Sequence, residues 1–237
     1  RRPKVLALAG EGVRSHNLGE IWHFFEEELR YPIDLIEASE ISTVALESYN
    51  VIVLTEGYYS IGESTMEKIN DWVSAGGRLV AIGSAINKLS GKDGFEIESK
   101  GTPEPDTSEK EPPVHHPEPY AGSDRRSMSD DIPGSIFQTT LDTTHPLCFG
   151  LGETYWTLKS TTSNYQWLEE GGNAIYLDDS PRYYGFVGYK ALEKTKNTLI
   201  AGQEQIGGGS VVYFVDNPMF RSFWNSGKVL FSNALFF

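Results

Sequence analysis

The sequence of 237 residues contains little cysteine, few basic side chains and no long hydrophobic run. Its one cysteine, Cys148, excludes an internal disulfide, and a chain of this length can bury a core without one. No apolar stretch is long enough to span a bilayer. The first residues lack a signal-peptide pattern, and the chain begins with Arg1 rather than methionine, which favours a fragment or a processed product.

Charge of one sign dominates. Lysine and arginine number 20 against 33 aspartate and glutamate residues, which gives a net charge of −13. An acidic surface repels phosphate backbones and anionic lipid, so we predict no nucleic-acid partner. Hydrophobic residues make up 39% and charged residues 22%, which is the balance of a globular chain.

The first 90 residues alternate strand and helix patterns. Short apolar runs predict strands over residues 5–9, 33–36, 51–55 and 78–82. One helix is predicted to start with Asn17 as its N-cap and to end before Pro32, and another to span residues 64–74. This alternation is typical of a doubly wound α/β fold, with a mostly parallel, flavodoxin-like sheet.

The pattern changes after residue 90. Residues 91–131 are rich in proline and charge, and we predict an exposed loop or insertion there, within a single domain spanning residues 1–237. Residues 220–237 predict a terminal helix whose aromatic side chains form either ordinary core, which we favour, or a partner surface. Extra β strands are predicted in the second half, over residues 136–142, 155–158, 173–177, 184–189, 199–202 and 210–215.

Several segments match one known fold. With residues 6–8, 49–54 and 76–83, the chain resembles the class I glutamine amidotransferase-like fold. More narrowly, it resembles the domain that follows the catalytic domain in bacterial zinc carboxypeptidases. The segments that carry this closer resemblance are Gly10-Glu11-Gly12 and residues 19–25, 56–59, 132–137, 144–147 and 216–224.

The resemblance runs nearly from end to end, and its implications are expectations. It implies an upstream peptidase domain of the same polypeptide as partner. It implies that zinc belongs to that upstream domain, that this chain needs no cofactor, and that the protein is secreted or periplasmic.

The resemblance also implies a degenerate catalytic site. Active members of the fold carry a cysteine at the turn after the fourth strand, together with a histidine and a glutamate from the last part of the sheet. Gly83 occupies that turn here, and the later neighbourhood, Asp216-Asn217-Pro218, holds no histidine. Because a glycine supplies no nucleophile, the resemblance implies that the glutaminase set is absent.

Ser84, beside that glycine, has two interpretations. It is either a nucleophile, which would make the chain a weak serine-dependent hydrolase, or the cap of the next helix. The flanking residues lack the Gly-x-Ser-x-Gly spacing and no base is identifiable, so we favour the cap.

Polar side chains follow the predicted carboxyl ends of the strands, where open parallel sheets bind ligands. Glu56 is the strongest candidate among them, because a carboxylate that directly follows a buried strand needs either a partner or contact with solvent. The set forms either a pocket for a small molecule or carbohydrate, or a polar rim with Glu11 or Glu56 paired to Arg14 or Arg221, which we favour. The predicted set is Glu11, Arg14, His16, Glu56, Tyr58, Ser84, Asp216, Asn217 and Arg221.

Histidines give no metal site in this interpretation. His115 and Glu118 have the His-x-x-Glu spacing of zinc carboxypeptidases, but their segment is proline-rich and a zinc site needs rigid shells, so we treat it as a coincidence. His145 is predicted to be a turn residue, and His23 a packing or capping group. We therefore predict no metal in this chain.

Three functional hypotheses follow. The first is a non-catalytic accessory or interaction domain of a secreted zinc carboxypeptidase, with proteolysis carried upstream. The second is a small-molecule or carbohydrate-binding module, or a weak hydrolase, at the carboxyl edge of the sheet. The third is a self-associating domain that sets the oligomeric state of its parent.

Overall fold

A computed structural model of the chain describes residues 2–101 and 120–237. Within these ranges ten strands form one mixed sheet. The strands are β1 (Val5–Ala9), β2 (Asp34–Glu37), β3 (Val51–Leu54), β4 (Arg78–Ile82), β5 (Ser135–Leu141), β6 (Tyr155–Lys159), β7 (Gly172–Leu177), β8 (Tyr183–Tyr184), β9 (Thr198–Ile206) and β10 (Gly209–Phe214). The helices are α1 (Ser15–His23), α2 (Glu63–Ser74), α3 (Ser123–Met128), α4 (Tyr189–Thr195) and α5 (Asn225–Phe236).

The strand order is β2-β1-β3-β4-β10-β9-β7-β5-β6, with β8 paired to β5. From β2 to β10 every neighbouring pair is parallel. From β10 to β6 every neighbouring pair is antiparallel. The predicted flavodoxin-like α/β class, with extra β strands in the second half, is confirmed.

Side chains from the sheet pack into one core on each face. Along β1 the alternation is direct, because Val5 and Ala7 lie in one core while Leu6 and Leu8 lie in the other. Helices α1 and α5 cover the first face and α2 covers the second. The central strands β3 and β10 are therefore buried along their whole length, whereas the edge strand β2 is mostly exposed.

The first helix differs from the prediction at its start, and it ends before Pro32 as predicted. It begins at Ser15, with Arg14 as its N-cap, and the Asn17 side chain does not cap it. After His23 the helix widens into a π-helical stretch, Phe24–Leu29, and ends at Arg30, where φ is +50°. The predicted Asn17 cap was wrong because the Asn17 amide donates a hydrogen bond to Glu56 instead.

Two further predicted elements were wrong. Of the predicted strand 184–189 only Tyr184 joins the sheet, next to Tyr183, and Tyr189 begins α4. The terminal helix begins at Asn225 rather than at residue 220. The preceding residues turn sharply, since Arg221 and Ser222 have φ of +49° and +55°, values that an α-helix does not contain.

Residues 91–131 are more structured at their flanks than the predicted loop. Phe95 and Ile97 are buried in the core beside α2, and α3 forms within the second flank. Residues 102–119 lie outside the described ranges, as do His115 and Glu118. Among the described helices, none has the length and apolar character needed to cross a membrane.

Candidate functional site

A cleft of about 670 Å³ lies at the carboxyl ends of the parallel strands. Helix α1 begins beside it, and the segments that follow β3, β6 and β10 contribute side chains. Six of the predicted residues line it, namely Arg14, His16, Glu56, Asp216, Asn217 and Arg221. Glu11, Tyr58 and Ser84 belong to the predicted set but are not in the lining.

Glu56 connects three segments at this edge. One carboxylate oxygen accepts the Ser84 backbone N–H at 3.4 Å, and the other accepts the Asn17 side-chain amide. Burial raises the pKa of the Glu56 carboxyl above its usual range. The Ser84 N–H and the charge of Arg14 oppose that rise, whereas the charges of Glu20 and Asp216 add to it.

The same carboxylate explains the glycine at position 83. A Cβ atom at Gly83 would lie 2.1 Å from Oε1 of Glu56, and Gly83 has φ of +54°, which disfavours other residues. The Glu56 side chain thus fills the space beside this turn. A side chain at position 83 would require the Glu56 carboxylate to move.

Ser84 is directed away from the cleft. Its hydroxyl accepts the Gly57 backbone N–H at 3.1 Å and lies 3.4 Å from the Gly57 carbonyl oxygen. It lies in a short 3₁₀ helix, residues Gly83–Lys88, that has no side-chain cap. The serine therefore ties two loops together instead of capping a helix, and no imidazole or carboxylate contacts its hydroxyl within the described ranges.

Asp216 is held by two residues that sequence reasoning missed. The Thr157 hydroxyl donates to Oδ2 at 2.9 Å, and Nζ of Lys159 lies 3.4 Å from Oδ1. Lys159 is fully buried and also donates to the Ser163 carbonyl at 2.8 Å. The signal was present, because the period-two alternation along β6 places Tyr155, Thr157 and Lys159 on one face.

Glu20 is a further cleft residue that the sequence did not predict. It lies in α1, is buried, and accepts hydrogen bonds at 2.6 Å from the Asn217 amide and the Arg221 backbone N–H. It thereby fastens α1 to the segment that follows β10. Its sequence context shows only a polar position on an amphipathic helix, which does not distinguish a buried glutamate from an exposed one.

The two arginines do not form the predicted ion pairs. The Arg14 guanidinium lies 5.1 Å from the centre of the Tyr58 ring and donates to its hydroxyl, and Arg221 lies 5.4 Å from the Phe220 ring. Glu11 is exposed, and its backbone N–H donates to Glu37. The favoured pairing of Glu11 or Glu56 with Arg14 or Arg221 was therefore wrong.

The histidines have separate environments. His23 lines the cleft and lies 3.5 Å from Glu28, while His16 is exposed at the cleft. His145 precedes a short turn and accepts the Leu147 N–H at 3.1 Å, as a turn residue does. In the part of the chain that the structure describes, no three histidine, cysteine or acidic side chains are grouped to hold a metal ion.

Comparison with known proteins identifies the fold. No protein-family model matches the chain, and no curated protein sequence matches it. A ThuA-like protein from Parabacteroides merdae has a TM-score of 0.58 and 14% identity, over 99% of this chain and 89% of that one. A glutamine amidotransferase from Thermotoga maritima has a TM-score of 0.58 and 10% identity, over 99% and 97%.

A third similar structure belongs to a much longer protein. β-Galactosidase from Bacillus circulans sp. alkalophilus has a TM-score of 0.55 and 14% identity, over 98% of this chain and 30% of that one. At these identities the similarities show the fold alone. They support the class I glutamine amidotransferase-like fold that the sequence predicted, and they transfer no catalytic residue to this chain.

Proposed function

We propose that this chain is a non-catalytic, amidotransferase-like accessory domain of a secreted zinc carboxypeptidase. The observation that supports this most strongly is the glycine at position 83, which supplies no nucleophilic side chain and has the Glu56 carboxylate in the space that a Cβ would take. The carboxypeptidase context is supported by the sequence resemblance, which is sharpest at residues 144–147 and 216–224. On this proposal zinc and proteolysis belong to an upstream domain, and the location is secreted or periplasmic.

The catalytic part of the proposal is tested with the isolated chain. We expect no release of ammonia from glutamine and no release of amino acids from peptides, because position 83 is a glycine and no base contacts the Ser84 hydroxyl among the described residues. Ser84→Ala is the matched variant. Hydrolysis by the wild type that disappears in Ser84→Ala would contradict a non-catalytic role.

The proposed link to an upstream carboxypeptidase domain is tested at the level of the gene. Sequencing the reading frame upstream of the Arg1 codon should reveal a signal peptide and a domain with a His-x-x-Glu motif and a distant histidine. An upstream frame that encodes neither would remove the carboxypeptidase part of the proposal and leave the non-catalytic part standing.

A second candidate function is the binding of a small molecule or carbohydrate, and the cleft itself favours it. Its volume of about 670 Å³ lies within the range of small-molecule sites, and several side chains converge on it. A ligand that binds only the folded state raises the unfolding temperature by mass action. A thermal-shift screen in which no sugar, amino acid or peptide raises that temperature would contradict this function.

The remaining alternatives have different support. The contacts of Ser84 do not support a weak serine hydrolase, because among the described residues its hydroxyl hydrogen-bonds only to the Gly57 backbone. Self-association stays a prediction. Light scattering across a range of protein concentrations tests it, and a constant monomer mass would rule it out.

A further inference from the structure

The cleft wall that follows β10 contains a strained stretch of backbone, residues 220–223. Arg221 and Ser222 follow one another with φ of +49° and +55°. This left-handed region is sterically unfavourable for any residue with a Cβ atom. The other non-glycine residues with positive φ in the described part of the chain, Arg30 and Asn197, each occur singly. Two consecutive residues of this kind indicate that surrounding contacts hold the backbone in an unfavourable conformation.

The residues on either side of this stretch are fixed. Met219 is completely buried in the core, and its backbone N–H donates to the Asn217 side chain at 2.9 Å. Trp224 packs against the same core, and its indole N–H donates to the Trp156 carbonyl at 2.9 Å. Between these two anchors residues 220–223 are exposed or half-buried. A short exposed segment between two fixed ends is the arrangement of a hinged loop.

One contact holds the middle of the loop against α1. The Arg221 backbone N–H donates to Oε1 of Glu20 at 2.6 Å. Apart from local turn bonds to the carbonyls of Met219 and Phe220, it is the one hydrogen bond that residues 220–223 make among the described residues. The Arg221 guanidinium lies 5.4 Å from the Phe220 ring and so packs within the loop itself. Glu20 is therefore the contact that keeps the strained middle of the loop in place.

We propose that residues 220–223 form a gating loop, which pivots at its two anchors to open the cleft and is held closed by Glu20. The first three residues of the loop line the cleft, so opening widens the cleft and exposes Glu20, which is now 9% exposed. Relaxation of two left-handed residues favours the open form, and the hydrogen bond to Glu20 favours the closed form. This inference rests on the binding function proposed for the cleft, whose access the loop controls.

The test is to label the carboxyl groups of the full chain with a water-soluble carbodiimide and glycine ethyl ester, followed by peptide mass spectrometry. Both Glu20 oxygens accept hydrogen bonds, so we expect this carboxylate to react only when the loop is open. Glycine adopts the left-handed backbone freely, whereas β-branched threonine disfavours it. Labelling of Glu20 should be at least threefold slower in Ser222→Gly than in the wild type, and at least threefold faster in Ser222→Thr. Glu11, exposed outside the cleft, should react equally in all three proteins.

Amide hydrogen exchange tests the role of Glu20 separately. Glu20→Ala removes the acceptor of the Arg221 N–H, and local opening then exchanges that amide more often. We expect the exchange rate of Arg221, relative to that of Val212 in buried β10, to rise at least tenfold. Glu27→Ala is the matched control, because Glu27 is exposed on the π-helical stretch that continues α1, and it should leave this ratio unchanged. Thermal unfolding confirms that each variant is folded.

Three results would overturn the gating loop. The first is equal labelling of Glu20 in the wild type and both variants at position 222. The second is an unchanged exchange ratio in Glu20→Ala. The third is exchange of Arg221 in the wild type with the same opening free energy as Val212, because the loop would then open only when the whole protein unfolds. None of these measurements involves a ligand, so a negative thermal-shift screen would remove the binding function without changing them.

Discussion

At the scale of single residues, the contact between Gly83 and Glu56 organises the site. One carboxylate fills the space beside the turn, accepts the next backbone N–H and holds Asn17 of α1. The turn is a structural junction between β4, β3 and α1.

Gly83→Ala tests this junction. The left-handed backbone alone disfavours alanine by about 1–2 kcal/mol, and overpacking against Glu56 adds about 1–3 kcal/mol. Gly91→Ala is the matched control, since Gly91 has φ of +68° but no atom within 4 Å of an added Cβ. Chemical denaturation should give a larger loss for Gly83→Ala, and equal losses for the two variants would contradict the role of Glu56.

Glu56→Gln tests the same carboxylate through pH. Because burial raises the pKa of Glu56 in the folded state above the ordinary value of 4.5, ionisation of this group destabilises the fold. The amide should therefore be more stable than the wild type at neutral pH, provided that the Asn17 amide rotates to accept from it. The gain should disappear as the pH falls below about 4.5, because the wild-type carboxyl is then protonated in both states.

Urea denaturation of both proteins between pH 4 and pH 8 measures this gain. Asp142→Asn is a suitable contrast, because hydrogen bonds from Thr144 lower the pKa of Asp142. That variant should lose stability at neutral pH rather than gain it. If the stability of Glu56→Gln relative to the wild type did not change with pH, this would contradict the claim that burial raises the pKa of Glu56.

At the scale of elements, α5 sets the position of the segment after β10. Gly227 is buried in α5, and a Cβ atom there would lie 1.9 Å from the Pro218 carbonyl oxygen. The helix thus lies directly against the backbone next to Asp216 and Asn217. Close helix packing against this segment helps to hold both cleft residues.

Gly227→Ala should therefore destabilise the fold by about 1–3 kcal/mol through overpacking. The matched control is Gly19→Ala in α1, where an added Cβ meets no atom within 4 Å. That substitution should stabilise the protein by up to about 1 kcal/mol, because alanine favours the helix. Thermal unfolding compares the two, and a gain in stability for both would show that α5 tolerates the methyl group.

The sequence correctly predicted those strands and helices that local patterns determine. Apolar runs located the strands at residues 78–82 and 210–215, and the rule for parallel strands placed Glu56 and Asp216 at one edge. Long-range contacts decided the rest. The start of α1 depends on a glutamate 39 residues away from Asn17, and no local pattern reveals that partner.

At the scale of the whole molecule, β10 joins a parallel half to an antiparallel half. It pairs with β4 on one side and with β9 on the other, and it is buried along its whole length. Neither half can complete its sheet without this strand. A single domain over residues 1–237 stays a prediction.

Unfolding should therefore occur in one transition. We expect far-UV circular dichroism and tryptophan fluorescence to give the same midpoint, and the calorimetric and van't Hoff enthalpies to agree. Trp72 reports on the parallel half and Trp167 on the antiparallel half, so single-tryptophan variants can follow each separately. Two separate transitions would show that the halves are independent domains.

The most direct test of the central claim is covalent labelling with an electrophilic chloroketone analogue of glutamine, followed by peptide mass spectrometry. We predict no adduct on the peptide that contains Gly83 and Ser84. Gly83 has no nucleophilic side chain, and the Ser84 hydroxyl is hydrogen-bonded to the Gly57 backbone. Cys148 should also stay unlabelled, because burial raises the pKa of its thiol to about 11. An adduct on Ser84 would contradict the claim and make the chain a catalytic member of its fold.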